Sequence, residues 1–217
     1  MIMSEQFTLQ GFFNSSASYR VRIALELKEL KWQYMAVNLR KGEQNESWFR
    51  EINPSGLVPS LEYREGRLSQ SLAIIELLDR VHPEPRLLPL EGPERERVLE
   101  IALLIAADVH PLNNLRVLKY LTNILKATDA QKSAWYSHWV HEGFQGLEQM
   151  LPDHDGWCVG FAPTMADCCL VPQVANATRM GVDLSPYPRI RRIVEYCNSQ
   201  PAFQRAMPGA QPDYVPA

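Results

Sequence analysis

No cysteine precedes Cys158, and the four that are present, Cys158, Cys168, Cys169 and Cys197, have neither metal-ligand spacing nor the look of a disulfide framework. Adjacent Cys168 and Cys169 in an apolar run read as buried free thiols, which fits a reducing compartment. Charge of one sign is equally scarce. Lysine and arginine total 22 against 25 aspartate and glutamate, a net −3, with no long basic run. That excludes the concentrated positive footprint that nucleic-acid binding needs. Residues 1–5 lack the basic start and apolar stretch of a targeting peptide, and no apolar run reads as long enough to cross a bilayer. The expectation is a cytoplasmic protein with neither a membrane nor a nucleic-acid partner. A content of 46% hydrophobic and 22% charged residues excludes disorder and suffices to bury a real core.

What is present divides into two parts. Residues 1–86 alternate short strands with helices: strands over 7–13, 32–37 and 60–63, another starting at Leu68, and helices over 18–30, 48–52 and 71–81. In the first long helix Val21, Ala24, Leu25 and Lys28 share one face, with Arg20, Arg22 and Glu26 elsewhere. The order βαβ then ββα predicts a small mixed sheet with helices on it. Residues 87–93 (LLPLEGP) carry two prolines and a glycine without periodicity and read as a linker. Residues 94–217 are helical in pattern, with runs over 94–125, 130–151, from Thr164 and over 188–199. A bend is expected at Pro111, a capping box at Thr164 with Asp167, and an irregular tail from Ala210. Trp135 and Trp139, four apart, read as packing, and Arg189, Arg191 and Arg192 as a solvated face.

Several segments carry chemistry. Ser15, Ser16 and Ser18 stand between the first strand and its helix, where serines can cap the helix or donate to a ligand. Gln70 and Ser71 open a helix whose free N–H groups suit a carboxylate, although Ser71 could serve only as a cap. Val58-Pro59 is a candidate cis turn before a strand. In the second part His110 and Arg116 flank the bend, Asn114 lies between them, and Arg179 offers a fork suited to a carboxylate.

The segments 15–25, Asn53-Pro54 with Val58-Pro59, 70–76, 111–115, 164–167, 170–177, 182–184 and 186–188, in this order and spacing, resemble the cytosolic glutathione transferases. Within them the pattern is similar to the zeta class, the maleylacetoacetate isomerase family, along essentially the whole chain. The resemblance implies an N-terminal thioredoxin-like α/β domain that binds glutathione, an all-α C-terminal domain that binds substrate, and a homodimer. It implies that Ser15, with Ser16 as neighbour or stand-in, stabilises the glutathione thiolate. Ser18, Val58, Gln70, Ser71, His110 and Asn114 would help to hold glutathione; Arg179, Arg116 and His110 would hold a small dianionic substrate. The reaction implied is thiolate addition to maleylacetoacetate, rotation of the former double bond and elimination to fumarylacetoacetate, a step of tyrosine and phenylalanine degradation. The same resemblance allows maleylpyruvate as the substrate, a broader transferase or dehalogenase role toward α-halo acids, or a non-catalytic module. The family pattern departs at two positions. Ala17 stands where a cysteine is usual, which excludes mixed-disulfide chemistry there, and Asn14 stands where an arginine is common.

Overall fold

Apolar Phe7 and Leu9 make Phe7–Gly11 a strand, β1, and its place in the sheet decides how much of it is buried. In the computed structural model, which describes residues 7–64 and 66–216, β1 is flanked by β2 (Trp32–Ala36) and β3 (Ser60–Tyr63). With β4 (Gly66–Ser69) the sheet order is β2-β1-β3-β4; β1 and β2 are parallel, the other pairs antiparallel. A central strand is covered on both faces, so Phe7, Leu9 and Gln10 are all buried. Residues 1–5, read for a targeting signal, and Ala217 lie outside the described residues.

The helices follow as α1 (Ser16–Leu27), α2 (Ser47–Ile52), α3 (Ser71–Val81), α4 (Pro93–Leu103), α5 (His110–Leu112), α6 (Leu115–Asn123), α7 (Asp129–Met150), α8 (Met165–Arg179), α9 (Pro188–Asn198) and α10 (Pro201–Ala206). The chain forms two compact units. One holds the described residues up to Leu88 together with those from Ser199 onward; the other is Pro89–Asn198. The tail thus belongs with the first unit, whereas the sequence reading groups it with the second. α10 packs on α1, Arg22 donates to the Ala206 carbonyl at 2.8 Å, and Arg205 pairs with Glu26 at 2.5 Å.

In the first unit Val21, Ala24, Leu25 and Lys28 are buried as their spacing predicts, but Arg20 and Arg22 are buried too. Periodicity placed them off the apolar face; protein acceptors receive them instead. A buried guanidinium is tolerable only when hydrogen-bonded, and Arg22 bonds the carbonyls of Phe12, Phe13 and Ala206. Burial still lowers its pKa to about 10. Lys28 and Asp79 form a second buried charge system, an ion pair of 2.7 Å. Lys28 also donates to the carbonyls of His82 and Pro85, while Asp79 accepts from the amides of Leu87 and Leu88. Together they fasten α1 and α3 to the chain leaving this unit.

The second unit begins with a helical run over 93–123 that contains an 18-residue window of mean hydropathy 1.3. By length and composition that run could cross a membrane, against the expectation of no such stretch. One face of it, with Val98, Ile101, Ala102, Ile105 and Val109, is buried within the unit, while 33% of the window as a whole is buried. The run is also interrupted. A π-helical turn, Leu104–Val109, precedes Pro111, and the chain breaks at Asn113 and Asn114 rather than merely bending at the proline. Pro111 has no N–H to donate to the turn before it, and the π-helical turn directly ahead of it is where the ladder adjusts; the helix itself ends two residues later, at Asn113. A Cβ on Gly143 would lie 2.1 Å from Val109 Cγ2, so only glycine lets α7 approach this turn so closely.

Asp167 is wholly buried and accepts from the Thr164 amide and hydroxyl at 2.7 and 2.8 Å and from the Cys158 amide at 2.8 Å. It is the expected capping partner. The four cysteines are free and buried, and burial pushes the Cys158 and Cys197 thiols upward, away from reactivity. Of the three arginines read as a solvated face, Arg191 is exposed, whereas Arg189 and Arg192 are half-buried and bind the Leu151 carbonyl and Asp153 respectively, closing the end of α7. Trp135 donates to the Leu112 carbonyl at 2.9 Å and meets Trp139 edge-on, a packing role.

Candidate active site

Strand register brings three of the candidate segments of the first unit to one end of the sheet. Gln10 pairs with Ser60, and Ser60 with Ser69. The chain leaving β1 toward Ser15, the chain entering β3 from Val58, and the chain leaving β4 into Gln70 and Ser71 therefore meet at the same edge.

Ser15 is the N-cap of α1, with extended backbone (φ −81°, ψ 117°) and a hydroxyl oxygen that accepts from the Ser18 amide at 3.2 Å. It is half-buried, and its hydroxyl proton remains available to a ligand. The helix behind it places partial positive charge at the same point. Ser16, the first helical residue, is 6% exposed. Ser18 departs from expectation. Its side chain is wholly buried, a Cβ on Gly11 would lie 3.2 Å from its hydroxyl oxygen, and that oxygen has no hydrogen-bond partner among the described residues. Burial beneath β1 puts it out of a dissolved ligand's reach.

The Val58–Pro59 bond is cis, as expected. Val58 is half-buried, and neither its N–H nor its C=O has a partner among the described residues, leaving both free for an extended peptide-like ligand. Gln70 has φ +75°, a left-handed conformation that costs a non-glycine residue about 1–3 kcal/mol and clusters at functional sites. No side chain caps α3, so its first amides stay available to an anion. Ser71 is buried and accepts from Arg20 Nη1 at 3.2 Å.

Periodicity gave no sign of four residues around this edge. Arg20 and Arg22 looked like surface charges, and only their buried partners reveal them. Arg40, exposed, stands over the rings of Phe12 and Phe13 at 5.9 and 5.2 Å. Asp213, from the tail, accepts from the Phe13 amide and the Tyr34 hydroxyl.

In the second unit His110 and Asn114 lie together, His110 Nε2 being 3.5 Å from Asn114 Nδ2. Asn114 caps α6 by accepting from the Arg116 amide at 3.2 Å, and the Arg116 side chain is exposed. Arg179 ends α8, exposed and bonded to the Asn176 side chain. Its cation is felt by buried Tyr136, whose pKa desolvation nevertheless pushes up to about 12.

The glutathione S-transferase N-terminal domain matches residues 14–81. The chain is 50% identical over 208 residues to a probable maleylacetoacetate isomerase of Vibrio cholerae, covering 94% of this chain and 97% of that protein. A holo structure of maleylpyruvate isomerase, described as a bacterial glutathione S-transferase in zeta class, matches with TM-score 0.93 at 43% identity, covering 96% of this chain and all of that one. A maleylacetoacetate isomerase of Methylobacterium extorquens with bound malonate and GSH matches with TM-score 0.91 at 34% identity, over 97% of this chain and 100% of that chain. The mixed four-stranded sheet, its helices and the helical part beyond it are the glutathione transferase fold. The chain belongs to the zeta class of that family, among the maleylacetoacetate and maleylpyruvate isomerases.

Proposed function

We propose that this protein is a glutathione-dependent cis–trans isomerase acting on maleylacetoacetate. The observation that carries the reading is Ser15 at the N-terminus of α1, on the same sheet edge as the Val58 peptide, unpaired among the described residues, and an α3 without a side-chain cap. These groups fit glutathione: the Val58 N–H and C=O suit its cysteinyl peptide, and Gln70, Ser71 and the first amides of α3 suit its γ-glutamyl carboxylate. When bound, glutathione supplies a thiolate able to add reversibly to an activated double bond.

The chain's own residues then have three tasks. The Ser15 hydroxyl donates a hydrogen bond where the sulfur charge develops, aided by the α1 dipole, with Ser16 beside it. The guanidinium of Arg20, bonded to Ser71, places fixed positive charge behind the carboxylate site. In the second unit Arg179, Arg116 and His110 bind the substrate carboxylates, and His110 and Asn114 also serve glutathione. Ser18 drops out of this set because it is buried.

Maleylpyruvate is the second reading, favoured by the fit to the zeta-class maleylpyruvate isomerase over the whole of that chain. A cytoplasmic homodimer in aromatic amino-acid breakdown is supported by the family resemblance, and the cytoplasmic part also by four free thiols. The test is a glutathione-dependent isomerase assay of the purified protein on both cis dianions. Turnover of neither, with glutathione present, would sink the proposal, and their ratio decides the substrate.

A further inference from the structure

The structure assigns to Asp213 the role of positioning residue for the turn that presents Ser15, an inference that rests on the proposed thiolate site. Ser15 follows a tight turn in which its amide donates to the Phe12 carbonyl at 2.9 Å. The polar groups of that turn are held almost entirely by two side chains. Arg22, from α1, donates to the carbonyls of Phe12 and Phe13 at 3.4 and 3.0 Å. Asp213 Oδ2 accepts from the Phe13 amide at 3.0 Å and from the Tyr34 hydroxyl at 3.1 Å.

Asp213 sits 200 positions along the chain from Phe13, so this clamp is a long-range device. The tail is built to deliver it. Gln211 is buried and donates to the carbonyls of Arg205 and Met207, both at 3.0 Å, and its own carbonyl accepts from the Tyr214 amide at 3.0 Å. The Tyr214 ring then meets Phe13 edge-on at 5.5 Å. Arg22 ties the same tail to the same turn through the Ala206 carbonyl. Without Asp213 the Phe13 amide loses its acceptor, and the peptide two residues before Ser15 is anchored only through its Phe12 oxygen, by Arg22 and the Ser15 amide, about which it can tilt. A displacement of about 1 Å there takes the serine hydroxyl out of hydrogen-bond range of a bound sulfur.

Charge and position pull in opposite directions, and that makes the idea testable. The charged and titratable groups packed around Asp213 and the turn are Arg22, Tyr34, Tyr19 and Arg40. Deleting a carboxylate from that set leaves more net positive charge, which by itself lowers the pH at which a nearby thiol ionises. Loss of the positioned hydroxyl raises it.

The experiment follows thiolate absorbance of protein-bound glutathione against pH for the full-length wild type, Asp213→Ala, Asp213→Asn and Tyr34→Phe, with kcat, KM and thermal unfolding of each. Asp213→Ala is expected to raise the ionisation midpoint by about half a pH unit or more and to lower kcat about tenfold with KM little changed. Asp213→Asn keeps an acceptor oxygen and is expected to restore the wild-type midpoint or fall slightly below it. Should Asp213→Ala not fold, Tyr34→Phe, which frees the carboxylate from its second donor, must show a smaller rise. A midpoint that stays or falls in the variant so tested overturns the positioning role. A wild type that forms no bound thiolate overturns the functional reading, and this inference with it.

Discussion

Arg20 and Ser71 bond each other at 3.2 Å with both side chains buried, so a cation from α1 stands directly beneath the first turn of α3. The two helix N-termini proposed to hold glutathione at its sulfur and at its carboxylate are thereby linked through one guanidinium. A charge in that position gains in strength from being shielded from water, and it cannot move away when a ligand leaves.

Ser71→Ala deprives that guanidinium of an acceptor. The expected result is a loss of about 1–3 kcal/mol of stability, seen in denaturant unfolding. A fall of about tenfold in glutathione affinity is expected beside it, measured by calorimetry. Unchanged affinity in a destabilised variant would reduce Ser71 to a structural partner of Arg20.

Ser15→Ala separates capping from chemistry. Losing the cap costs about 1 kcal/mol of stability. Losing a hydrogen bond aimed at developing charge costs about 10²–10³ in kcat. Turnover with saturating glutathione, alongside a melting curve, reads both. A fall in turnover no larger than the stability loss explains would transfer the role to Ser16.

The Lys28–Asp79 pair is expected to be indispensable in a particular way. Asp79→Ala removes the partner of a buried ammonium and also the acceptor of the Leu87 and Leu88 amides, so a cost of about 3–5 kcal/mol is expected. Combining it with Lys28→Met should recover little, because two buried amides stay orphaned. Full recovery in the double variant, measured by urea unfolding, would show that the pair acts alone.

Tyr136 predicts an alkaline limb. Its pKa stands at about 12 in the folded chain against an ordinary 10, because burial disfavours the phenolate. The unfolded chain therefore releases this proton first as pH rises. The contribution is fully present below pH 10 and is lost toward pH 12, amounting to about 1–3 kcal/mol. Its hydroxyl has no partner among the described residues, so Tyr136→Phe should hold or raise the neutral-pH melting temperature. The same variant should flatten the decline above pH 10. A decline of wild-type steepness would assign it to other groups.

Much of the first unit was legible because its signals are local. β3 and α3 have the bounds that alternation and helical period give, Ser60–Tyr63 and Ser71–Val81. The boundary of α8 follows from Thr164 and Asp167, since a capping box is written within four consecutive residues. Ser15, Val58, Gln70 and Ser71 stand out through the order of motifs that resemble a family, and the chain belongs to that family.

What the sequence determined by itself, then, was the class of elements, their order, and the short motifs at their ends, because helix caps, periodicity and turns depend on neighbouring residues. Only the tertiary structure decided where charges lie. Arg20 and Arg22 are buried because acceptors on Ser71, Phe12, Phe13 and Ala206 come to meet them, and those acceptors are up to 184 positions away. Ser18 is sealed because β1 closes over it, and Asp213 reaches Phe13 because α10 turns the tail back onto α1. Whether a polar group is buried and satisfied depends on partners that folding alone brings together.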